Sequence, residues 1–420
     1  MTDTAMAMMI FLLVMALIIT EKVHRAIAAV LGALLLMVCG IMDVKSAAGY
    51  IDFNTIGVLV GMMMFVSVVK HSGLFEYLAI RSAKAAGGDP WRIMVVFIVI
   101  TAMLSSVLDN VTTVLLMGPV TIAVARILRT DPVPFLITQI MASNIGGTAT
   151  LIGDPPNIMI GSAAGFTFMD FIVKNGPVIT AVLAVSVICF RSIYGRRLAA
   201  DSRAVKILMD MDENRMVTDR PLMIRCIVMT VVMVLGFVFH NAMGVETSVI
   251  ALASAVAMLL VGRQSPEKIL PELEWTTIIF FVGLFIVVGG LVETGIIDRL
   301  AELLTELMKG DTMTAAIVVL WGSAILSSTL DNIPFVATMI PLIGSMGESG
   351  MDITPLWWAL SLGACLGGNG TLIGASANVV MAGIGEKNGA GISYMSFLKV
   401  GCPLMLVSVM ICTIYLVCTV

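Results

Sequence analysis

ASNIGGTATLIGDPPN, residues Ala142 to Asn157, is a run of Gly, Asn, Thr, Asp and paired Pro flanked on both sides by apolar sequence of helical length. Glycine and proline are the poorest helix formers, so a helix entering this run is expected to break in it. Lipid offers no partner for the backbone N–H and C=O groups that a break frees. A broken helix at membrane depth is tolerated only where protein or a water-filled cavity satisfies them, and such breaks mark substrate and ion sites. Close helix packing on small residues would explain the glycines. It has no use for Asp154, Asn144, Asn157 or the two prolines.

The membrane follows from composition. Hydrophobic residues make up 59% of the 420 positions and charged residues 12%, which describes a polytopic membrane protein. The net charge of -4 is distributed, with no basic stripe for nucleic acid or a polybasic lipid tether. Seven cysteines (Cys39, Cys189, Cys226, Cys365, Cys402, Cys412, Cys418) lack any paired spacing and suit small buried hydrophobes better than disulfides or metal ligands. The 33 methionines suit core filler. Met6 to Ile19 has no basic leader and no small-residue cleavage site, so it is expected to be the first spanning helix rather than a signal peptide.

In chain order, helices are expected at about Met6–Ile19, Ala26–Met42 and Thr55–Val69, the first two joined by the charged turn Glu21, Lys22, His24, Arg25. Leu74–Ala86 sets Arg81 and Lys84 among apolar residues, as in an interfacial amphipathic helix. Trp91–Ile127 has two apolar arms around LSSVLDN, Leu104–Asn110. Each arm is short for a span, which favours a re-entrant hairpin with its tip near mid-membrane over two complete crossings. A helix at Phe135–Asn144, the break, a continuation to Ala164 and a span at Pro177–Phe190 complete this half.

The polar connector Arg191–Arg225 carries Arg196, Arg197, Arg203, Lys206, Arg215 and Arg220, and after it the plan restarts. Helices are expected at Ile227–Phe239, Thr247–Val261 and Thr276–Val292, then an amphipathic stretch Ile296–Met308. A hairpin on LSSTLDN, Leu326–Asn332, a break GGNGTLIGASAN, Gly367–Asn378, and a span Phe397–Val417 follow. Asp109 and Asn110 match Asp331 and Asn332 at an offset of 222 (331 − 109), and Asn157 matches Asn378 at 221 (378 − 157). Ser105 and Ser106 match Ser327 and Ser328, Pro119 matches Pro341, and Gly146 and Gly147 match Gly367 and Gly368. A near-constant offset over polar positions signals duplication.

The repeats divide the chain into residues 1–200 (scaffold 1–90, hairpin and broken helix 91–193), a connector 194–225, and 226–420 (scaffold 226–311, hairpin and broken helix 312–420). Each half then makes about five crossings, and an odd number orients the halves oppositely. With the connector cytoplasmic, roughly 20 of the 24 Lys and Arg fall inside, leaving Lys45, Lys174, Arg299 and Lys309 outside. Both termini are then expected outside, with the first hairpin opening from the cytoplasm and the second from the opposite face.

LSSVLDNVTTVLLMGP followed by ASNIGGTATLIGDPPNIMIG closely resembles the ion transporter superfamily, in the branch of the melanosomal P-protein and the arsenite permeases. D-type sodium/proton antiporters and sodium-coupled dicarboxylate and citrate carriers are more distant relatives. The resemblance covers nearly the whole chain. It implies a homodimer in which a fixed scaffold carries a mobile domain of two hairpin tips and two broken helices, working as an elevator. It also implies a multi-pass protein of a prokaryotic inner or plasma membrane.

The dicarboxylate carriers have Ser-Asn-Thr tips; here both tips carry an acid, Asp109-Asn110 and Asp331-Asn332. A carboxylate at membrane depth is costly and usually functional. Burial disfavours its charged form, whereas Na+ or a helix N-terminus favours it, so proton and cation can compete for one group. Both acids also precede a helix and suit N-caps, a role compatible with ion binding. Asp109, Asn110, Asp331 and Asn332 are the candidate Na+ ligands, and Ser105, Ser106, Ser327 and Ser328 complete the tips. The breaks contribute Asn144, Gly146, Gly147, Thr148, Asp154 and Asn157, and Gly367, Gly368, Asn369, Thr371 and Asn378. Asp154-Pro155-Pro156 faces Ala375-Ser376-Ala377, so the first half carries an extra carboxylate for coupling, substrate binding or its own loop.

No Lys or Arg lies in the four motifs, which weakens a strongly anionic substrate unless helix N-termini, amides or accompanying cations hold it. The leading expectation is a secondary transporter coupled to H+ or Na+, exporting Na+ or a weakly acidic inorganic species such as arsenite. A sodium-coupled citrate, dicarboxylate or other anion permease is the alternative. A channel shares the architecture. An enzyme is disfavoured, since no span carries a nucleophile-base pair or a His-rich metal site. No cofactor beyond the coupling ion is expected.

Overall fold

The computed structural model describes residues 2–20, 22–195, 198, 201–307 and 311–419. Glu21, Arg196, Arg197, Met308 and Lys309 lie outside the described residues. The first half contains α1 (Asp3–Thr20), α2 (Arg25–Val38), α3 (Val44–Gly49), α4 (Phe53–Lys70), α5 (Leu74–Ala85), α6 (Pro90–Ser105), α7 (Asn110–Ile127), α8 (Val133–Thr148), α9 (Pro155–Ala164) and α10 (Phe168–Tyr194). The connector contains α11 (Ser202–Asp210). The second half contains α12 (Arg220–Phe239), α13 (Thr247–Gly262), α14 (Pro266–Ile269), α15 (Trp275–Glu293), α16 (Ile296–Leu307), α17 (Thr312–Thr329), α18 (Asn332–Glu348), α19 (Thr354–Gly367), α20 (Ser376–Lys387) and α21 (Tyr394–Thr419). The chain is an all-α polytopic membrane protein.

The duplication is visible element by element, since α2 through α9 start 221 or 222 positions before α13 through α20 (247 − 25; 376 − 155). It also governs packing. In α4 a Cβ on Gly61 would lie 2.5 Å from the Ala251 carbonyl carbon of α13, and in α15 one on Gly283 would lie 2.7 Å from that of Ala29 in α2. Gly61 and Gly283 are repeat mates, as are Ala29 and Ala251. Each half therefore lends one helix to the other in the same way, as a two-fold exchange requires. The broken helices interlock at the centre, with α8 against α19 and α20, α7 against α20, and α9 against α18 and α19.

Aspartates set the starts of the hairpin arms. Asp89 and its mate Asp311 accept from Arg92 N and Thr314 N at the first arms; Asp109 and Asp331 cap the second arms. The backbone breaks where expected but over less chain. α8 runs through Asn144, Gly146 and Gly147 to Thr148, leaving only residues 149–154 out of helix; the second break spans 368–375. Asn144, Gly146, Gly147 and Thr148 are thus helical. Their flat glycine face lets α6 approach, which outweighs glycine's poor propensity.

Several boundaries differ from the sequence expectation. The span expected from Pro177 begins at Phe168, because a Thr167/Asp170 capping box starts the helix two turns earlier. α3 and α11 are additional helices. Residues 39–42, expected at the end of the second helix, lie beyond α2. Cys39 and Cys418 are exposed rather than buried, while Cys226, Cys365 and Cys412 are buried. The length argument for short arms fails for α7 and α17, each 18 residues and apolar enough to cross. The first tip ends beside the break, Ser105 and Asn110 bonding Ser143 and Asn144 in the last two turns of α8.

Candidate functional site

Each tip is fastened to its own break by one repeated set of hydrogen bonds. Ser105 Oγ donates to Ser143 O at 2.7 Å, and its mate Ser327 Oγ to Ala364 O at 2.6 Å. Thr150 and Thr371 donate back to the carbonyls of Ser106 and Ser328. Within the breaks, Asn157 Nδ2 donates to Thr150 O at 2.9 Å and Asn378 Nδ2 to Thr371 O at 3.0 Å. These amides occupy the carbonyls that the broken helices free, so the loops are satisfied in a place where water is scarce.

A second network joins the halves. Asn144 Nδ2 donates to Asn369 Oδ1 and Asn378 Oδ1, both at 2.9 Å, and Asn144 Oδ1 accepts from Asn110 Nδ2 at 3.3 Å. Asn157 Oδ1 accepts from Ser361 Oγ at 2.7 Å, and Asn175 Nδ2 donates to the same hydroxyl at 2.9 Å. Asn110, Asn144, Asn157, Asn369 and Asn378 are all buried. Asn144 has no amide counterpart, its mate being Cys365.

The three carboxylates are not equivalent. Asp109 is 8% exposed and is held by Thr112, whose N donates to Oδ1 at 2.8 Å and whose hydroxyl donates to Oδ2. Among the described residues it has no basic side chain as a partner. Asp154 is 1% exposed, and both its oxygens accept from Asn332 Nδ2 at 3.4 Å. Asp154 precedes α9 without capping it. Asp331 is different: Arg25 Nη1 lies 3.1 Å from its Oδ2, and Ser376 Oγ donates to the same oxygen at 2.6 Å.

Thus the expected side chains converge, with three exceptions, the first being Thr148, whose hydroxyl donates to Asn144 O one turn back in α8. The hydroxyls of Ser106 and Ser328 turn back onto Met103 O and Ile325 O of their own helices. Arg25 and Ser376 were missed. Although no Lys or Arg lies in the four motifs, Arg25 enters from the start of α2, also bonding Ser376 and donating to Thr277 Oγ1 at 3.3 Å, with its guanidinium 5.2 Å over the Phe280 ring. The signal is a charged residue at the first position of an apolar helix, which the sequence reading places in the charged turn before it. Arg25, Asp331 and Ser376 line a cavity of about 610 Å3 between α1 and the α18–α20 side of the second half.

The sequence matches the citrate transporter family, CitMHS, over residues 15–363. An uncharacterized transporter of Mycobacterium tuberculosis is 40% identical over 98% of both chains. The P protein of Homo sapiens is 34% identical over 98% of this chain and 59% of its own. Among solved structures, the YdaH transporter of Alcanivorax borkumensis has a TM-score of 0.63, covering 88% of this chain and 86% of its own, at 13% identity, a likeness of fold. Family match, near-full-length relatives and fold agree: the chain belongs to the CitMHS citrate transporter family within the ion transporter superfamily, a family of secondary membrane transporters and not of enzymes.

Proposed function

We propose that this protein couples transport to H+ or Na+ bound at the first hairpin tip, around Asp109 and Asn110, and moves a small inorganic ion or weak acid by Na+/H+ exchange or arsenite-type efflux. The observation that carries this reading is Asp109, buried at the tip with neutral cap donors and no basic partner among the described residues. A carboxylate so placed calls for a cation from outside or a proton. The neighbouring Asn110 amide belongs to the network through which both breaks communicate.

The elevator reading, with inverted repeats, a scaffold of α1–α5 and α12–α16, and a homodimer, draws support from an asymmetry in docking. In one half the head of α4 holds α9 at Ser162, Ser162 Oγ donating to Asp52 Oδ1 at 3.0 Å. In the other, Thr277 near the head of α15 reaches Ser376, the first residue of α20, through Arg25. The mate of Ser376 is Pro155, seven residues before Ser162 (162 − 155). At 1.5 Å per residue the equivalent contacts differ by about 10 Å along the helix. Repeats that dock out of register can exchange registers, and alternating access requires that exchange.

A second reading is favoured by Arg25 and Ser376 in the large cavity and by the family's description: cation-coupled uptake of citrate or another carboxylate. Uptake of labelled Na+, arsenite and citrate into proteoliposomes under imposed Na+ and pH gradients separates the two. Citrate uptake that requires Na+ or H+, with no movement of the inorganic species, would replace the first reading by the second.

A further inference from the structure

The two tips are near-identical in sequence, and an aspartate caps the second arm in each, yet among the described residues only the second has a counter-charge supplied by the protein. Arg25 belongs to α2, a scaffold helix packed along α15, whereas Asp331 belongs to the hairpin 306 positions away. The guanidinium is held on its other sides by Thr277 and by the Phe280 ring. It is therefore aimed at the tip rather than free to wander. The repeat mate of Arg25 is Thr247, so the scaffold head that corresponds to it in the second half brings no charge to Asp109.

We propose that Arg25 is an internal cation that occupies the ion site of the second tip in this state, so that a monovalent coupling cation, Na+ or H+, binds Asp331 only by displacing the guanidinium. This rests on the proposed cation coupling of the tips. Displacement breaks the direct polar link between α2 and the second hairpin, freeing the tip from the scaffold when the ion arrives. Among the described residues the first tip has no such competitor. The other titratable groups around Asp331 among the described residues are Asp154, which accepts from Asn332 of that tip, Glu274 at the head of α15, which accepts from Thr277 Oγ1 at 3.1 Å, and His24, which lines the same cavity.

Hydrogen exchange of the full chain in lipid nanodiscs tests this, reading peptides across each tip during Na+ titrations at constant ionic strength, repeated at two pH values to separate Na+ from H+. In Arg25→Gln, half-protection of the second tip should occur at about tenfold lower cation concentration or less, the low end of what a neighbouring opposite charge does to a carboxylate's occupancy. The first tip should titrate as in the wild type, and Arg25→Lys should stay near the wild-type midpoint. Asp331→Asn should abolish the second-tip response. An unchanged second-tip midpoint in Arg25→Gln, or an equal shift at both tips, overturns the proposal while leaving cation coupling standing. No response to Na+ or H+ at either tip overturns the coupling reading as well.

Discussion

Gly146→Ala is the smallest change that should uncouple a tip from its break. A Cβ at Gly146 would lie 2.1 Å from Ala102 O and 2.5 Å from Ala102 Cα. Both are backbone atoms and cannot rotate away. Carbon atoms pack at about 3.5–4.0 Å, so α6 must retreat by about 1 Å. Ala102 is one turn before Ser105, so the retreat stretches the 2.7 Å Ser105–Ser143 bond out of hydrogen-bond range. Overpacking of this kind costs about 1–3 kcal/mol, and each lost bond about 0.5–1.5 kcal/mol more. Better helix propensity returns about 0.5–1 kcal/mol, leaving a net loss of about 0.5–4 kcal/mol. A reacting or binding group misplaced by about 1 Å can lose about 100-fold in rate. Thermal unfolding in detergent and proteoliposome flux should therefore both fall. The control is Gly176→Ala, where the added Cβ meets nothing within 4 Å and both readouts should hold. Wild-type melting and flux in Gly146→Ala would refute the claim that this close approach sets the tip.

Asp109→Asn preserves a good N-cap for α7, so expression and melting should stay near wild type while coupled flux is lost. Asp154→Ala should reduce flux more than Ser376→Ala, since it removes a buried carboxylate and strands the Asn332 amide; equal, mild losses would make the first-half asymmetry structural only. On the connector, the Lys84 ammonium hydrogen-bonded to Glu213, 2.6 Å away, holds that carboxyl below its ordinary 4.5. A lowered folded value stabilises above the unfolded one and loses that contribution as pH falls through it. Protease cutting near Glu213 should thus rise below about pH 4.5, and Glu213→Gln should weaken the dependence, leaving the part due to Asp212, whose carboxyl its Asn214 hydrogen bonds also lower; both groups are near the surface, so the effect is small. For topology, single cysteines on a Cys-free background should label from the cytoplasm at Asp210 and from outside at Asp3, a reversed pattern refuting the orientation expected from the Lys and Arg distribution.

Much of the fold was legible because polar residues in a membrane sequence are rare and carry position. The offset between Asp109 and Asp331 aligned the halves, and the helix list keeps that register from α2 to α9. Helix ends were less legible. Gly146 and Gly147 look like breakers by propensity, but they are packing residues, Gly146 against Ala102 and Gly147 against Gly153, and only the fold shows what stands opposite. Arg25 was hidden for a related reason. Its partner Asp331 is far away in sequence, and nothing in the local pattern distinguishes a guanidinium facing a headgroup from one facing a tip. The inequivalence of Asp109 and Asp331 is tertiary, arising from which scaffold helix meets which hairpin.

The most direct test uses wild type and Asp109→Asn in liposomes on a solid-supported membrane, recording charge movement and internal pH during jumps of Na+, arsenite and citrate. The account predicts a saturable response that depends on Na+ or pH in the wild type and disappears in Asp109→Asn. Flux indifferent to both ions, or unchanged in Asp109→Asn, would contradict it.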